Sequence, residues 1–137
     1  MANNYSQFST TIAATKEQGE FLLSWLNEQL SREDDGSDEE AECYAALDCV
    51  ELADDGIWIY GDSGLPDPLV DGLVAMLARF RDMPPIIIEG ADTCDKLRPD
   101  NFGGWVTLIT CSGARSKSTY QIGKELLDAH HRGPADD

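Results

Sequence analysis

The sequence predicts an α+β fold: a single four-stranded, mainly antiparallel sheet with about three helices packed on one face. Two observations carry that expectation. Three stretches repeat apolar residues at the helical period of 3.6; three short runs are rich in β-branched and aromatic residues, and a fourth partly alternates ahead of an Asp-Gly turn. Their order, helix, strand, strand, helix, strand, strand, helix, suits two β-β-α-like halves.

The chain opens with a polar stretch carrying Phe8 and Ile12, which reads as a short strand or an extended lead-in. Thr15 followed by Gln18 has capping-box spacing. Phe21, Leu22, Trp25, Leu26 and Leu30 then form one helical stripe, so Lys16 to Ser31 reads as an amphipathic helix. Residues 33–42 hold seven acids in ten positions, and repulsion with low hydrophobicity predicts a solvated loop. From Cys43 to Leu52 the alanines permit a helix, but a strand is preferred. The reason is Asp54-Asp55-Gly56, a hairpin signal ahead of the β-prone run Ile57 to Tyr60.

Asp62 to Pro68 is a turn-rich connection. Asp67 is placed to cap a second helix with Pro68 at its first position. Leu69, Val70, Leu73, Val74, Leu77 and Phe80 supply its stripe, and Pro84 and Pro85 prevent its continuation. Ile86-Ile87-Ile88 predicts a buried strand, and Trp105 to Thr110 predicts another, with a long loop from Gly90 to Gly103 between them. Thr119 to His131 predicts a last helix with Ile122, Leu126 and Leu127 turned inward. Residues 1–132 are expected to form one domain with an acidic loop at 33–42, and 133–137 a polar tail.

Charge is the outlying property. Twenty-six acids against ten bases give −16. Residues 1–75 hold 17 of the acids and two of the bases, while residues 76–137 are almost balanced. Direct contact with nucleic acid or anionic lipid is disfavoured, since phosphates would be repelled. A protein partner with a basic or nucleic-acid-binding surface is favoured. No run approaches the roughly 18 apolar residues of a membrane span, and the polar start lacks a signal-peptide pattern, so a cytoplasmic setting is expected.

The expected partner-binding residues are Glu33, Asp34, Asp35, Asp38, Glu39, Glu40, Glu42, Asp54 and Asp55. Strings of carboxylates imitate phosphate spacing and can occupy a Lys/Arg groove. Glu17, Glu20, Glu28, Asp48, Glu51, Asp62, Asp67 and Asp71 extend the charge over the first half. The competing chemistry is a thiol: Cys94, beside Lys96 and Arg98 in the long loop, would serve as a nucleophile if a base such as His130 or His131 reached it. The four cysteines show no C-x-x-C pair and read as buried thiols, with no metal or other cofactor expected. Phosphate-binding, zinc-protease, nucleophile-elbow and dinucleotide signatures are absent from the sequence.

Five segments resemble a known pattern. They are Trp58-Ile59-Tyr60, Asp62-Ser63-Gly64-Leu65-Pro66, Arg79-Phe80-Arg81, Thr93-Cys94-Asp95-Lys96-Leu97-Arg98, and Phe102-Gly103-Gly104. Together they are similar to a family of small acidic proteins of bacteriophages and mobile elements, with W-x-Y, E-S-G-x-P, R-K-F-R and T-C-S-K-P-R-x-x-x-F-G-G in order. The likeness spans residues 57–110, and Asp95, Leu97 and Trp105 depart from it. That family has no assigned activity, so the resemblance implies a setting and no catalytic residue. By analogy with small acidic proteins of that setting, it implies an inhibitor of a bacterial nucleic-acid-targeting defence system, of the anti-CRISPR or anti-restriction type, working by DNA mimicry. The alternatives are an accessory or regulatory protein of such an element, and a small enzyme using Cys94.

Overall fold

The computed structural model describes residues 4–32, 36, 38–94 and 102–133. Among them lie β1 (Asn4–Ala13), α1 (Lys16–Arg32), α2 (Asp38–Asp48), β2 (Val50–Ala53), β3 (Gly56–Gly61), α3 (Asp67–Arg79), β4 (Ile86–Cys94), β5 (Gly103–Thr110), β6 (Gly113–Ser118) and α4 (Thr119–Arg132). The class is α+β, as the sequence predicts. The sheet has six strands in the order β2-β3-β1-β4-β5-β6, and every neighbouring pair is antiparallel.

Two of the strands were not among the four expected. β1 is a full strand at the centre of the sheet. Only Phe8 and Ile12 mark its buried face, and the intervening Ser, Thr and Gln residues hide the alternation. β6 carries Arg115 and Lys117, with Ala114 as its one aliphatic side chain. It is an edge strand, and charge on an edge discourages pairing with other chains.

The preferred strand over Cys43 to Leu52 is corrected. Asp38–Asp48 is helical, and only Val50–Ala53 is extended. Part of the predicted acidic loop thus belongs to α2. Asp38, Glu39 and Glu40 sit in its first turn, where each carboxylate gains about 0.3–1 kcal/mol from the helix dipole. Cys43 and Ala46, three apart, turn into the core together. The hairpin that favoured a strand is present, closed by a two-residue turn, Asp54-Asp55, between the paired Ala53 and Gly56.

The capping box of α1 forms as predicted: Gln18 N–H donates to Thr15 Oγ1 at 3.2 Å, and Thr15 N–H to Gln18 Oε1 at 2.8 Å. α3 starts one position earlier than expected, with Pro66 as N-cap and Asp67 inside the helix. Ile86 and Ile88 are buried but Ile87 is exposed, because β4 alternates between a covered and an open face. The loop after β4 is shorter than predicted, since β4 runs to Cys94.

Helices α1, α2 and α3 cover one face of the sheet. Leu22, Leu26, Ala46, Leu69, Leu73, Met76 and Leu77 meet Phe8, Ile12, Val50, Ile57, Ile59, Ile86, Ile88 and Ile109 there. The opposite face is open, with Trp58, Ile87 and Leu108 exposed. α4 contradicts its expectation: Ile122, Leu126 and Leu127 do not turn inward, and the helix has no buried residue.

One row crosses the covered face at register. Gly61 pairs with Phe8, Phe8 with Gly90, Gly90 with Trp105, and Trp105 with Ser118. Glycine and aromatic alternate because each ring lies over its neighbour's bare backbone. A Cβ on Gly90 would stand 2.1 Å from the Trp105 indole, and one on Gly61 would stand 2.9 Å from the Phe8 ring. Trp105 Nε1 donates to Ser6 Oγ at 2.8 Å, which fixes the indole in place. Gly90→Ala should therefore displace the indole and destabilise the protein by about 1–3 kcal/mol, measured as a lowered urea midpoint with an unchanged slope.

Candidate functional site

The described acids of the first half point outward. On α1 these are Glu17, Glu20 and Glu28; on α2, Asp38, Glu39 and Glu42; beyond them, Asp48, Glu51, Asp54, Asp55, Asp62, Asp67 and Asp71. The two bases of this half each hold one glutamate of α1. Arg32 meets Glu28 at 2.7 Å and Lys16 meets Glu20 at 3.9 Å, and both pairs are largely exposed. Such pairs contribute little to stability. The surface is left with a concentrated negative field.

That field converges on an open cleft of about 1200 Å³ between α2 and the facing ends of β1, β3 and β4. Among the described residues, five carboxylates line it, from Glu42, Asp48, Asp62, Asp67 and Glu89, and no lysine or arginine does. Trp58 and Tyr60 form one wall as a stacked pair, ring centroids 4.0 Å apart. Trp58 Nε1 donates to Ser9 Oγ at 2.8 Å, which holds the pair against β1. Carboxylates beside a held aromatic stack suit a cation, above all a guanidinium, which pairs with the acids and lies over the rings.

The turn after β3 forms the cleft's rim. Ser6 N–H donates to the Asp62 carbonyl and Gly64 N–H to the Ser6 carbonyl, both at 2.9 Å. Gly64 sits at φ 82°, a left-handed conformation that favours glycine. Pro66 lines the cleft and caps α3.

The sequence-predicted residues separate into groups. Glu42, Trp58, Tyr60, Gly64 and Pro66 meet at the cleft. Asp38, Glu39 and Glu40 lie at the far end of α2, and Asp54 and Asp55 at the β2–β3 turn. Thr93, Cys94, Gly103 and Gly104 lie where β4 leaves and β5 begins; Thr93 pairs with Tyr5 and Cys94 with Asn4. Gly104 N–H donates to Thr119 Oγ1 at 3.0 Å, and Phe102 stands half-exposed beside it. Glu33, Asp34, Asp35, Lys96 and Arg98 lie outside the described residues. Glu89 was not foreseen. Its signal was the parity of the Ile86–Ile88 run, which places residue 89 on the open face once the strand continues.

Thiols and imidazoles are dispersed. Cys43 is buried, while Cys49, Cys94 and Cys111 are partly exposed, which corrects the expectation of buried thiols for those three. His130 and His131 are neighbours on the exposed last turn of α4. Among the described residues no group of three or more His, Cys, Asp or Glu side chains is placed to hold a metal ion. No described helix is long and apolar enough to cross a membrane.

Cys49 reports on the cleft electrostatically. Burial pushes its thiol pKa up, and the carboxylates of Asp48 and Asp62 push it further. The folded protein therefore keeps this proton where the unfolded thiol, with a pKa of about 8.5, has lost it. The folded state binds more protons, so this contribution to stability is complete below the unfolded pKa and falls as pH rises towards the folded one. Urea unfolding at about pH 7 and about pH 10 should show a steeper loss for wild type than for Cys49→Ala.

No family model, curated protein or solved structure matches this chain, so the acidic cleft stands on its own chemistry.

Proposed function

We propose that this protein binds a basic protein surface through its acidic half, and that the partner belongs to a bacterial nucleic-acid-targeting defence system which it inhibits. The observation that carries the reading is the cleft: among the described residues it has five carboxylates, no base, and a held Trp58–Tyr60 stack in one wall. A groove that grips phosphates with arginines presents the complementary chemistry. The acids of α2 and the β2–β3 turn extend the negative field beyond the cleft and speed encounter with such a groove. The resemblance to small acidic phage and mobile-element proteins supports the same setting.

The rival reading, thiol chemistry at Cys94, makes opposite demands. It needs Cys94 and tolerates loss of the acids. A tagged protein used as bait in bacterial lysate should retain a nuclease or CRISPR complex at low salt. Affinity for the isolated partner should fall roughly ten-fold or more between about 50 and about 300 mM salt, because exposed charges are screened. Changing Glu42, Asp48, Asp62, Asp67 and Glu89 to their amides should abolish capture, and Cys94→Ser should preserve it. Capture that survives the amides, or that is lost with Cys94→Ser, would sink the charge-based reading.

A further inference from the structure

We propose that two copies of this chain pack face to face on the open side of the sheet, about a twofold axis that runs along the strands between β1 and β4. An antiparallel sheet stands with one face in water when that face is polar. Here one row of it is not. Trp58, Ile87 and Leu108 are 40%, 59% and 38% exposed, and they share a row across the sheet.

The register builds that row. Glu51 pairs with Trp58 and Trp58 with Thr11, while Ile87 pairs with Leu108 and Leu108 with Arg115. Thr11 lies three residues after Phe8, and Ile87 lies three before Gly90, the partner of Phe8. The two halves of the row therefore stand at one height, although β1 and β4 are not hydrogen-bonded there. Alternation sends all six side chains to the open face, since Ile12, Ile57, Ile86, Ile88 and Ile109 beside them are buried on the other. In order the row reads acid, indole, threonine, isoleucine, leucine, base.

Its surroundings suit close approach. The next row, towards the β2–β3 turn, is low and uncharged, with Ala53, Gly56 and Ala13 on one side and Thr110 and Gly113 on the other. Charge returns in the β2–β3 turn beyond it, and at Glu89 and Lys117 on the opposite flank, where Lys117 is held by Glu125 at 3.0 Å. An apolar strip inside a polar rim is the anatomy of a protein interface. α4 starts only after the far end of β6 and leaves Arg115, Leu108 and Ile87 exposed.

Charge selects a second copy as the occupant. Glu51 stands at one edge of the face and Arg115 at the other, and neither has an ion pair among the described residues. The twofold lays β2 of each copy over β6 of its partner, β3 over β5 and β1 over β4. Each Glu51 then meets the partner's Arg115, twice per dimer. Trp58 meets the partner's Leu108, and Ile87, beside the axis, meets the partner's Thr11. On the rim, Glu89 faces the partner's Ser9, whose hydroxyl accepts from Trp58 and keeps its own proton to donate. The acids of α1, α2 and α3 lie behind each sheet and are not brought together. Trp58 also stands in the cleft wall, so pairing covers part of that wall. Six strands about 4.8 Å apart span only about 24 Å, so the interface is small and forms at high concentration.

Sedimentation equilibrium of the whole chain, up to about 1 mM and at physiological ionic strength, tests the pairing. Wild type should approach twice the 15.0 kDa chain mass. Ile87→Lys should give a monomer with an unchanged circular dichroism spectrum. It sets two lysines together at the axis while lowering the net negative charge, so general repulsion cannot explain the loss. Glu51→Arg alone and Arg115→Glu alone should each weaken the dimer roughly ten-fold or more, since like charges then face each other. The double variant should restore it, and an equimolar mixture of the two single variants should form a heterodimer. A monomer at every concentration would overturn the proposal, as would a dimer indifferent to Ile87→Lys. So would a dimer that the single charge variants leave intact, or that the double variant fails to restore. None of the altered residues lines the acidic cleft, so the outcome is independent of the inhibitor reading.

Discussion

Phe8 is the residue on which both halves of the sheet depend. Its backbone pairs with Gly61 on one side and Gly90 on the other. Towards the N-terminus β1 pairs with β4, and towards its C-terminus it pairs with β3. Its ring lies over Gly61, is buried, and meets the Trp105 ring at 6.0 Å. The cleft follows from this arrangement. β3 and β4 each accompany only part of β1, so they diverge on either side of Phe8, and the space between their ends is lined by Ser9, Tyr60 and Glu89. The Asp62–Gly64 turn then takes up the free backbone groups of Ser6.

Much of this was legible in the sequence, and what was missed has a common cause. Elements marked by dense apolar periodicity were found: α1 with its Thr15–Gln18 box, α3, β3 and β5. β1 and β6 were obscured because their outward residues are Ser, Thr, Gln, Arg and Lys, leaving too few apolar residues to show the period of two. α2 was misread because its acids suggest solvation and its alanines suit either state. Tertiary packing of Cys43 and Ala46 decides between them. The α4 stripe was recognised, but periodicity reports which residues share a side and not what that side meets. For the site, the carboxylates were readable as a charge excess. Their convergence around Trp58 and Tyr60 needs the pairing of β1 with β3 and β4, which no local pattern encodes.

The distribution of charge has a physical logic of its own. Acids occupy turns, helix surfaces and the first turn of α2, where water or the helix dipole stabilises them. The described residues bury no charged side chain; Gln18 and Thr107 are the buried polar ones, and both are hydrogen-bonded. The negative field is therefore almost free of desolvation cost and sits outside the core. It can vary in strength without disturbing the packing beneath it.

The central position of β1 also governs the order in which the chain can fold. β1 leaves the ribosome before the other strands of this sheet and waits for β4, about 80 residues later, before it has both neighbours. Contacts so distant in sequence make folding slow, on the millisecond-to-second scale of sheet-rich proteins. Throughout that interval the segment held unfolded is the one that carries almost all the excess negative charge. Self-repulsion keeps such a chain extended and resists its association with other nascent chains. The same carboxylates that shape the finished surface thus protect the unfinished one.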